Sequence, residues 1–448
     1  MANTRLTRTA GSPTLNTKYT ISVWVKRAGL AGEDFIMDGR QDANNRFKLA
    51  FQSANKLEIW NSHGGSDTWV RNPNRVFRDT SAWYHIVLAV DTTDSTALDR
   101  VKLYINGVRE TSFSATTNPS QNDANNVINE SGAGVHIGDY SGGSNAFDGC
   151  MSHFHFCDGT ALAPTVFGET DTTTGQWKIK ADPSFTPGNN GFTILKDGNT
   201  ITDQSANSNN FTLASGTLSN LVDNPSDNFA TVNTSYYSAT NVTATGIHFC
   251  NTGINQSGNA TPFYSTIAVP SGKYYWEGFV ETVGTNNMHG VHRTQDINET
   301  NNAGNPANAA YGYAYRSDGS KFNGGSASSY GNSFTSGDYV SVAYDATNGA
   351  IWFAKNGTWQ NSATTSEIAA GTTTNAAFSS MPTNGVFYTP YTYLSNSGVV
   401  RFNFGNGVFG STALGTTYSP TVGNTSAKFK YNIIPTGFAA LSTKGLNL

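Results

Sequence analysis

Residues 337–359 read GDYVSVAYDATNGAIWFAKNGTW, small or polar residues alternating with Val, Tyr, Ile, Trp and Phe. Successive side chains of an extended chain point to opposite faces. Val340, Val342 and Tyr344 therefore share one face, while Ala350, Trp352 and Ala354 oppose Ile351 and Phe353. Asn348-Gly349 and Asn356-Gly357 supply residues that tolerate the positive φ of tight hairpin turns. The segment reads strand, turn, strand, turn, a period of two that no helix can use to bury one face.

The same period recurs in YTISVWVKR from Tyr19, in RFKLAFQ, KLEIWNS, WYHIVLAVD and RVKLYINGVRE, and in SGKYYWEGFVE and VVRFNFGN of the second half. No amphipathic helical pattern accompanies it. A chain of 448 residues exceeds the roughly 250 to 300 residues at which single cores stop growing, so two domains are expected. Only 13% of residues are charged, 46 are Gly, and Asn, Ser and Thr fill the stretches between alternations, the composition of many short strands joined by turns. The formal net charge of −4 without a basic tract argues against a nucleic-acid partner held through phosphates. No apolar run reaches the length of a membrane span, and the N-terminus lacks the apolar core of a signal peptide, so a soluble protein made in a cytoplasm is expected. The three cysteines, Cys150, Cys157 and Cys250, have no metal-ligand spacing.

In the first half, the pair WYHIVLAVD and RVKLYINGVRE, followed by HIGDY and FDGCMSHFHFCDGTAL, resembles a laminin G-like, concanavalin A-like lectin domain over about residues 5 to 200. In the second, KYYWE, GDYVSVAYD, NGAIWFAKNG and RFNFG, in that order, resemble a SPRY domain over about residues 234 to 448. The resemblances imply an all-β protein of two concanavalin A-like antiparallel β-sandwiches, or jelly rolls, in tandem: residues 1–200, an Asn- and Ser-rich surface connector over 201–233, and residues 234–448. Such a tandem closed by PTGFAAL resembles virion proteins of tailed bacteriophages. That resemblance implies a multicopy or homo-oligomeric virion component whose partners are other virion proteins and a host-surface polysaccharide or receptor.

The chemistry expected is recognition at loops on the sandwich rims. In the first half, Trp60 and Trp69 flank a polar loop containing His63 and Asp67, a stacking face beside hydrogen-bonding groups; the competing reading puts both tryptophans in the core. In the second, His289, Arg293, Tyr311, Tyr313 and Trp359 fall at loop positions that SPRY domains use for partners. Some laminin G-like domains use calcium, and Asp38, Asp42, Asp139 and Asp148 offer hard oxygen ligands, although Asp in such loops commonly caps turns. His153 and His155 at i and i+2, with His136 upstream, form a weaker metal candidate, Met151, His153, His155 and Cys157 being expected on one strand face. Glu277 and Glu281 also share a strand face, but a structural role for Glu277 is expected rather than catalysis. Neither a Gly-x-Ser-x-Gly elbow nor a His-Glu-x-x-His pair is present. Three functions follow in order: a non-enzymatic fibre protein or adhesin, a capsid decoration or tail scaffold protein, and, distantly, a glycan-degrading enzyme.

Overall fold

The hairpins at 337–359 form as strands Tyr339–Asp345 and Ala350–Lys355, followed by the short strand Thr358–Trp359. Only the second junction is a two-residue turn: Lys355 pairs with Thr358 across Asn356 (φ 49°) and Gly357 (φ 80°). At the first, Asp345 pairs with Ala350 across a four-residue loop, and the Asp345 carboxylate accepts from the Asn348 backbone N–H (2.9 Å) and side-chain amide (2.8 Å). In this computed structural model residues 4–30, 32–196, 200–233, 247–248, 250, 252–256, 260–297 and 311–446 are described. They fall into two units, Met1–Asn220 and Leu221–Leu448, both almost entirely antiparallel β.

In the first unit an eight-stranded sheet runs in spatial order Phe113–Thr117, Ser66–Pro73, Leu57–His63, Arg46–Phe51, Asp34–Arg40, Gly134–Ile137, Arg5–Thr9, Thr212–Ser215. The six-stranded sheet runs Phe192–Ile194, Gly149–Asp158, Lys18–Arg27, Tyr84–Asp91, Val101–Ile105, Val108–Arg109. Alternate residues of both, among them Ile21, Val23, Val25, Ile86, Leu88, Phe47, Leu49 and Ile59, meet in one core. The outer face of the six-stranded sheet is covered too. Trp177, on the hairpin Gly168–Thr170/Trp177–Ile179, packs against His85 and lies so close to Gly107 that a Cβ there would come within 2.5 Å of its ring.

In Gly149–Asp158 the ladder with Lys18–Arg27 shifts between Ser152 and His155, and His153 takes φ 49°. The bulge moves the pattern on by one residue. Met151 packs against the core whereas His155 lies under Phe167 and Phe185, so the single face expected for Met151, His153, His155 and Cys157 is broken. The expected connector is corrected likewise. Phe211 is buried in the first core, and the Asp203 carboxylate accepts from the backbone N–H of Thr193 (2.9 Å), Ser205 (2.8 Å) and Asn209 (2.8 Å). Phe229, Ala230 and Val232 are buried in the second unit. This segment lacks alternation because side-chain amides and carboxylates, rather than a ladder, satisfy its backbone.

The second unit's larger sheet runs Ile247–His248, Gly253–Asn255, Val399–Asn403, Lys273–Thr282, Tyr339–Asp345, Ala350–Lys355, Thr358–Trp359, with Ala439–Ala440 added parallel to Tyr274 and Tyr275. The facing sheet runs Thr261–Tyr264, Tyr388–Leu394, Met288–Arg293, Gly312–Arg316, Ser320–Asn323, Ser326–Ser329. Val340, Val342, Tyr344, Ile351 and Phe353 enter the core between the sheets; the opposite face, with Ala343, Trp352 and Ala354, is buried beneath Phe229, Ala427, Phe429 and Phe438. Glu277 fixes this third layer. Its wholly buried carboxylate accepts from the backbone N–H of Lys430 (2.8 Å) and Tyr431 (3.1 Å), from the Tyr275 hydroxyl (2.9 Å) and from the Asn403 amide (3.3 Å). Burial pushes its pKa up to about 7, against the pull of those donors.

Candidate functional site

Strand Met288–Arg293 leaves the six-stranded sheet at Arg293, next to the start of Tyr388–Leu394, with which it pairs through Arg293 and Tyr388. The 3-10 turn Thr294–Asp296 follows, and it is tied to the neighbouring corner: Thr294 N–H donates to Phe387 O (2.9 Å) and the Gln295 amide to Gly385 O (3.1 Å). The turn returns Asp296 to its own strand end. The Arg293 guanidinium donates to both carboxylate oxygens of Asp296, Nε at 2.5 Å and Nη2 at 2.7 Å. This bidentate clamp holds the guanidinium flat, 3.3 Å from the centre of the Tyr311 ring. Those contacts raise the Arg293 pKa, so the group stays charged.

On the adjacent strand Tyr313 stands half-buried, edge-on to Phe378 (5.2 Å) and tilted against Tyr388 (6.1 Å). Phe387, 44% exposed, completes the rim. Arg293, Tyr311 and Tyr313 are therefore brought together, with Asp296, Phe387 and Tyr388 as members that sequence reading missed. A carboxylate three residues after Arg293 was the available signal for Asp296. Nothing local marks Phe387, which arrives from a loop almost a hundred residues away.

The other two candidates of this half do not join them. His289 is buried against Phe334 and Phe402, and burial lowers its pKa to about 3, so the ring is neutral. Trp359 is 6% exposed within the third layer, edge-on to Tyr275, its Nε1–H donating to Thr365 Oγ1 (3.1 Å). Both follow the strand period inward, so their loop-like sequence context misleads.

In the first unit the two tryptophans part. Trp69 is 0% exposed in the core, donating to Asn126 Oδ1 (3.2 Å). Trp60 is half-buried on the outer face of the eight-stranded sheet, with the Arg46 guanidinium 5.7 Å above its ring. Trp69 lies opposite Asn61, the residue after Trp60, so the register sends the two rings to opposite faces. Around Trp60 the same face carries Asp38, 3.5 Å from Arg46, and Lys48, which bridges Glu33 and Glu58. His63 lies at the next turn, 4.0 Å from Glu130, and Asp67 is exposed beside it.

Three of the four aspartates offered for calcium hold backbone amides. Asp42 accepts from the backbone N–H of Asn44 (2.7 Å) and Asn45 (2.9 Å); Asp139 accepts from Tyr140 (2.8 Å) and Asn145 (3.0 Å); Asp38 accepts from Ser141 (3.1 Å) and pairs with Arg46. Burial raises the Asp148 pKa. Among the described residues no three His, Cys, Asp or Glu side chains gather as a metal set. The histidines are each held by a hydroxyl: His155 bonds Thr193 Oγ1 (2.9 Å), His136 bonds Thr7 Oγ1 (3.1 Å), and His153 sits at the bulge beside Ser152 Oγ (2.7 Å), its ring edge-on to that of His155 (6.2 Å).

A Ser–His pair does occur, Ser22 Oγ lying 2.9 Å from His85 Nε2. The Trp177 indole N–H points at His85 Nδ1 (3.0 Å), so Nδ1 accepts and Nε2 carries the proton. Wired this way His85 donates to Ser22 and cannot act as its base, and both side chains are fully buried.

Residues 3–167 match the family model of the concanavalin A-like lectin/glucanases superfamily, of laminin G type, and residues 273–407 match that of the SPRY domain. The chain carries a laminin G-like domain and a SPRY domain in tandem. Trp60 lies in the former and the Arg293 rim in the latter. No curated protein matches the chain. Among solved structures it is similar to the SPRY domain of human HERC1, with 19% identity over 34% of this chain and 87% of that one and a TM-score of 0.27. It is also similar to the native heptameric SAP-like pentraxin from Limulus polyphemus, with 18% identity over 36% and 71% and a TM-score of 0.27. A third is domain 4 of AbnA, a GH43 extracellular arabinanase from Geobacillus stearothermophilus in complex with arabinotriose, with 24% identity over 33% and 64% and a TM-score of 0.25.

Proposed function

We propose that the protein is a non-enzymatic recognition protein of a tailed-bacteriophage virion, an adhesin or fibre component that binds host-surface glycan or receptor through the SPRY rim, with the Trp60 face as a second contact. The observation that carries this is the Arg293–Asp296 clamp stacked on Tyr311 beside Tyr313 and the exposed Phe387. An aromatic rim held by an internally neutralised ion pair offers stacking surface and directed donors without a net field. Binding of this kind survives salt. The lectin-like and SPRY domains favour carbohydrate or protein as the ligand class. The virion setting rests on the order of the two domains and the closing PTGFAAL.

The non-enzymatic reading has its own support. Glu277 lies wholly buried under the third layer, where no sugar can reach it, and Glu281 is paired with Arg401 (2.9 Å). The runner-up is a decoration or scaffold protein gripping other virion proteins. The experiment is to carry Tyr313→Ala with Phe387→Ala into particles. An adhesin variant assembles and fails to adsorb; a decoration variant is missing from particles that adsorb normally. Normal assembly together with normal adsorption would sink both readings.

A further inference from the structure

A sheet edge presents unpaired N–H and C=O groups that another strand can use, and proteins blunt such edges with bulges, prolines, charges, brevity or cover. Among the described residues the four large sheets end in eight terminal strands, and seven are blunted. In the first unit, Phe113–Thr117 is bulged, and Arg71 occupies its Thr117 carbonyl (2.7 Å). Thr212–Ser215 sits against a register shift between Arg5 and Leu6. The outer side of Phe192–Ile194 is taken by Asp203 and Gln204. Val108–Arg109, Ile247–His248 and Thr358–Trp359 are two residues long. Thr261–Tyr264 contains Pro262, and its outer side is paired through Asn233 N–H to Tyr264 O (2.8 Å).

The eighth edge is Ser326–Ser329, Ser-Ala-Ser-Ser, in the SPRY-type unit. All four residues are exposed, and their register with Ser320–Asn323 is unbroken. No charge, proline or bulge interrupts it. The hairpin leading to it turns through Gly324 and Gly325 (φ 58° and 76°), beside which no other atom lies within Cβ reach.

We infer that this strand is an interface, and that its occupant is the same strand of a second copy of this chain, added antiparallel about a two-fold axis that passes through Ala327, whose N–H and C=O face away from Ser320–Asn323. The argument is self-complementarity of charge and size. Under that operation Ala327 faces Ala327 and Ser326 faces Ser328 of the other copy, so no like charges meet and hydroxyls oppose hydroxyls. Two six-stranded sheets then continue as one. The inference is independent of which ligand the rim recognises.

The test is sedimentation of the intact chain from about 1 to 100 µM, a range that resolves modest self-affinity, with amide exchange followed at both ends of the range. The wild type doubles in mass as concentration rises, amides within 326–329 slow in the dimer, and Ala327→Lys/Ser328→Lys, which sets lysines against each other across the axis, stays monomeric with unchanged circular dichroism. A wild type that remains monomeric, a dimer that persists in the double-lysine variant, or a dimer in which those amides exchange as in the monomer overturns the inference. Should the variant misfold, amide exchange in the wild type decides alone.

Discussion

Trp60 and Trp69 look equivalent in sequence, and register separates them into a surface contact and a core residue. Trp69→Ala empties a filled core site and is expected to cost about 3–5 kcal/mol of the first unit's stability, whereas Trp60→Ala should leave the denaturation midpoint nearly unmoved and weaken ligand retention. Equal midpoints in chemical denaturation would refute the assignment of faces. His85 supplies a pH test. Burial between Trp24 and Trp177 lowers its pKa to about 3, so the folded state refuses a proton that the unfolded chain accepts near 6.5. A depressed histidine therefore removes stability as pH falls below 6.5, by about 2 kcal/mol at pH 5. His85→Phe, which keeps the stack, should shrink the loss between pH 7 and 5 by about that amount; an unchanged loss would show that His85 titrates normally. Glu277 acts with the opposite sign. Its pKa, raised to about 7, gives the second unit stability that is complete below about 4.5 and fades as pH rises through 7.

At the scale of elements, two devices were hidden from a reading based on alternation. One is the hairpin Gly168–Thr170/Trp177–Ile179, too short to show a period and docked through Trp177 beside the buried Ile179. Trp177 enters its slot because Gly107 and Gly168 leave room for the indole. Trp177→Ala should free the hairpin without unfolding the sandwich, seen as faster amide exchange over 168–179 and new protease cuts there; exchange unchanged in that segment would mean that the hairpin holds by its backbone alone. The other is the bulge at His153, which no local signal announces because the chain on either side keeps its period. Strand existence was plain from Val, Ile and aromatic alternation, but phase across a bulge is set by the neighbouring strands.

At the scale of the whole molecule, the boundary lies at 220/221, within the segment expected as a connector. The stretch before it closes the first unit through Asp203 and Phe211, and the stretch after it supplies Phe229 to the second. Fragments 1–220 and 221–448 are each expected to fold with cooperative transitions. A 1–200 fragment should be markedly less stable than 1–220, since it loses the buried Phe211 and the Asp203 cap; identical melting of 1–200 and 1–220 would restore the connector reading.

The sequence by itself determined the all-β class, the two sandwiches, most of the strands and the inward or outward sense of residues such as Val342 and Phe353, because a period of two and a turn residue act over neighbours a few positions apart. It also brought Arg293, Tyr311 and Tyr313 into view, but together with His289 and Trp359. Only the tertiary structure decided that Trp359 and His289 are interior, that Phe387 and Asp296 complete the rim, and that Glu277 anchors a third layer over a sheet face otherwise open to water. Each of these depends on which distant segment covers a given face, and that follows from the packing of whole sheets rather than from the residues on either side.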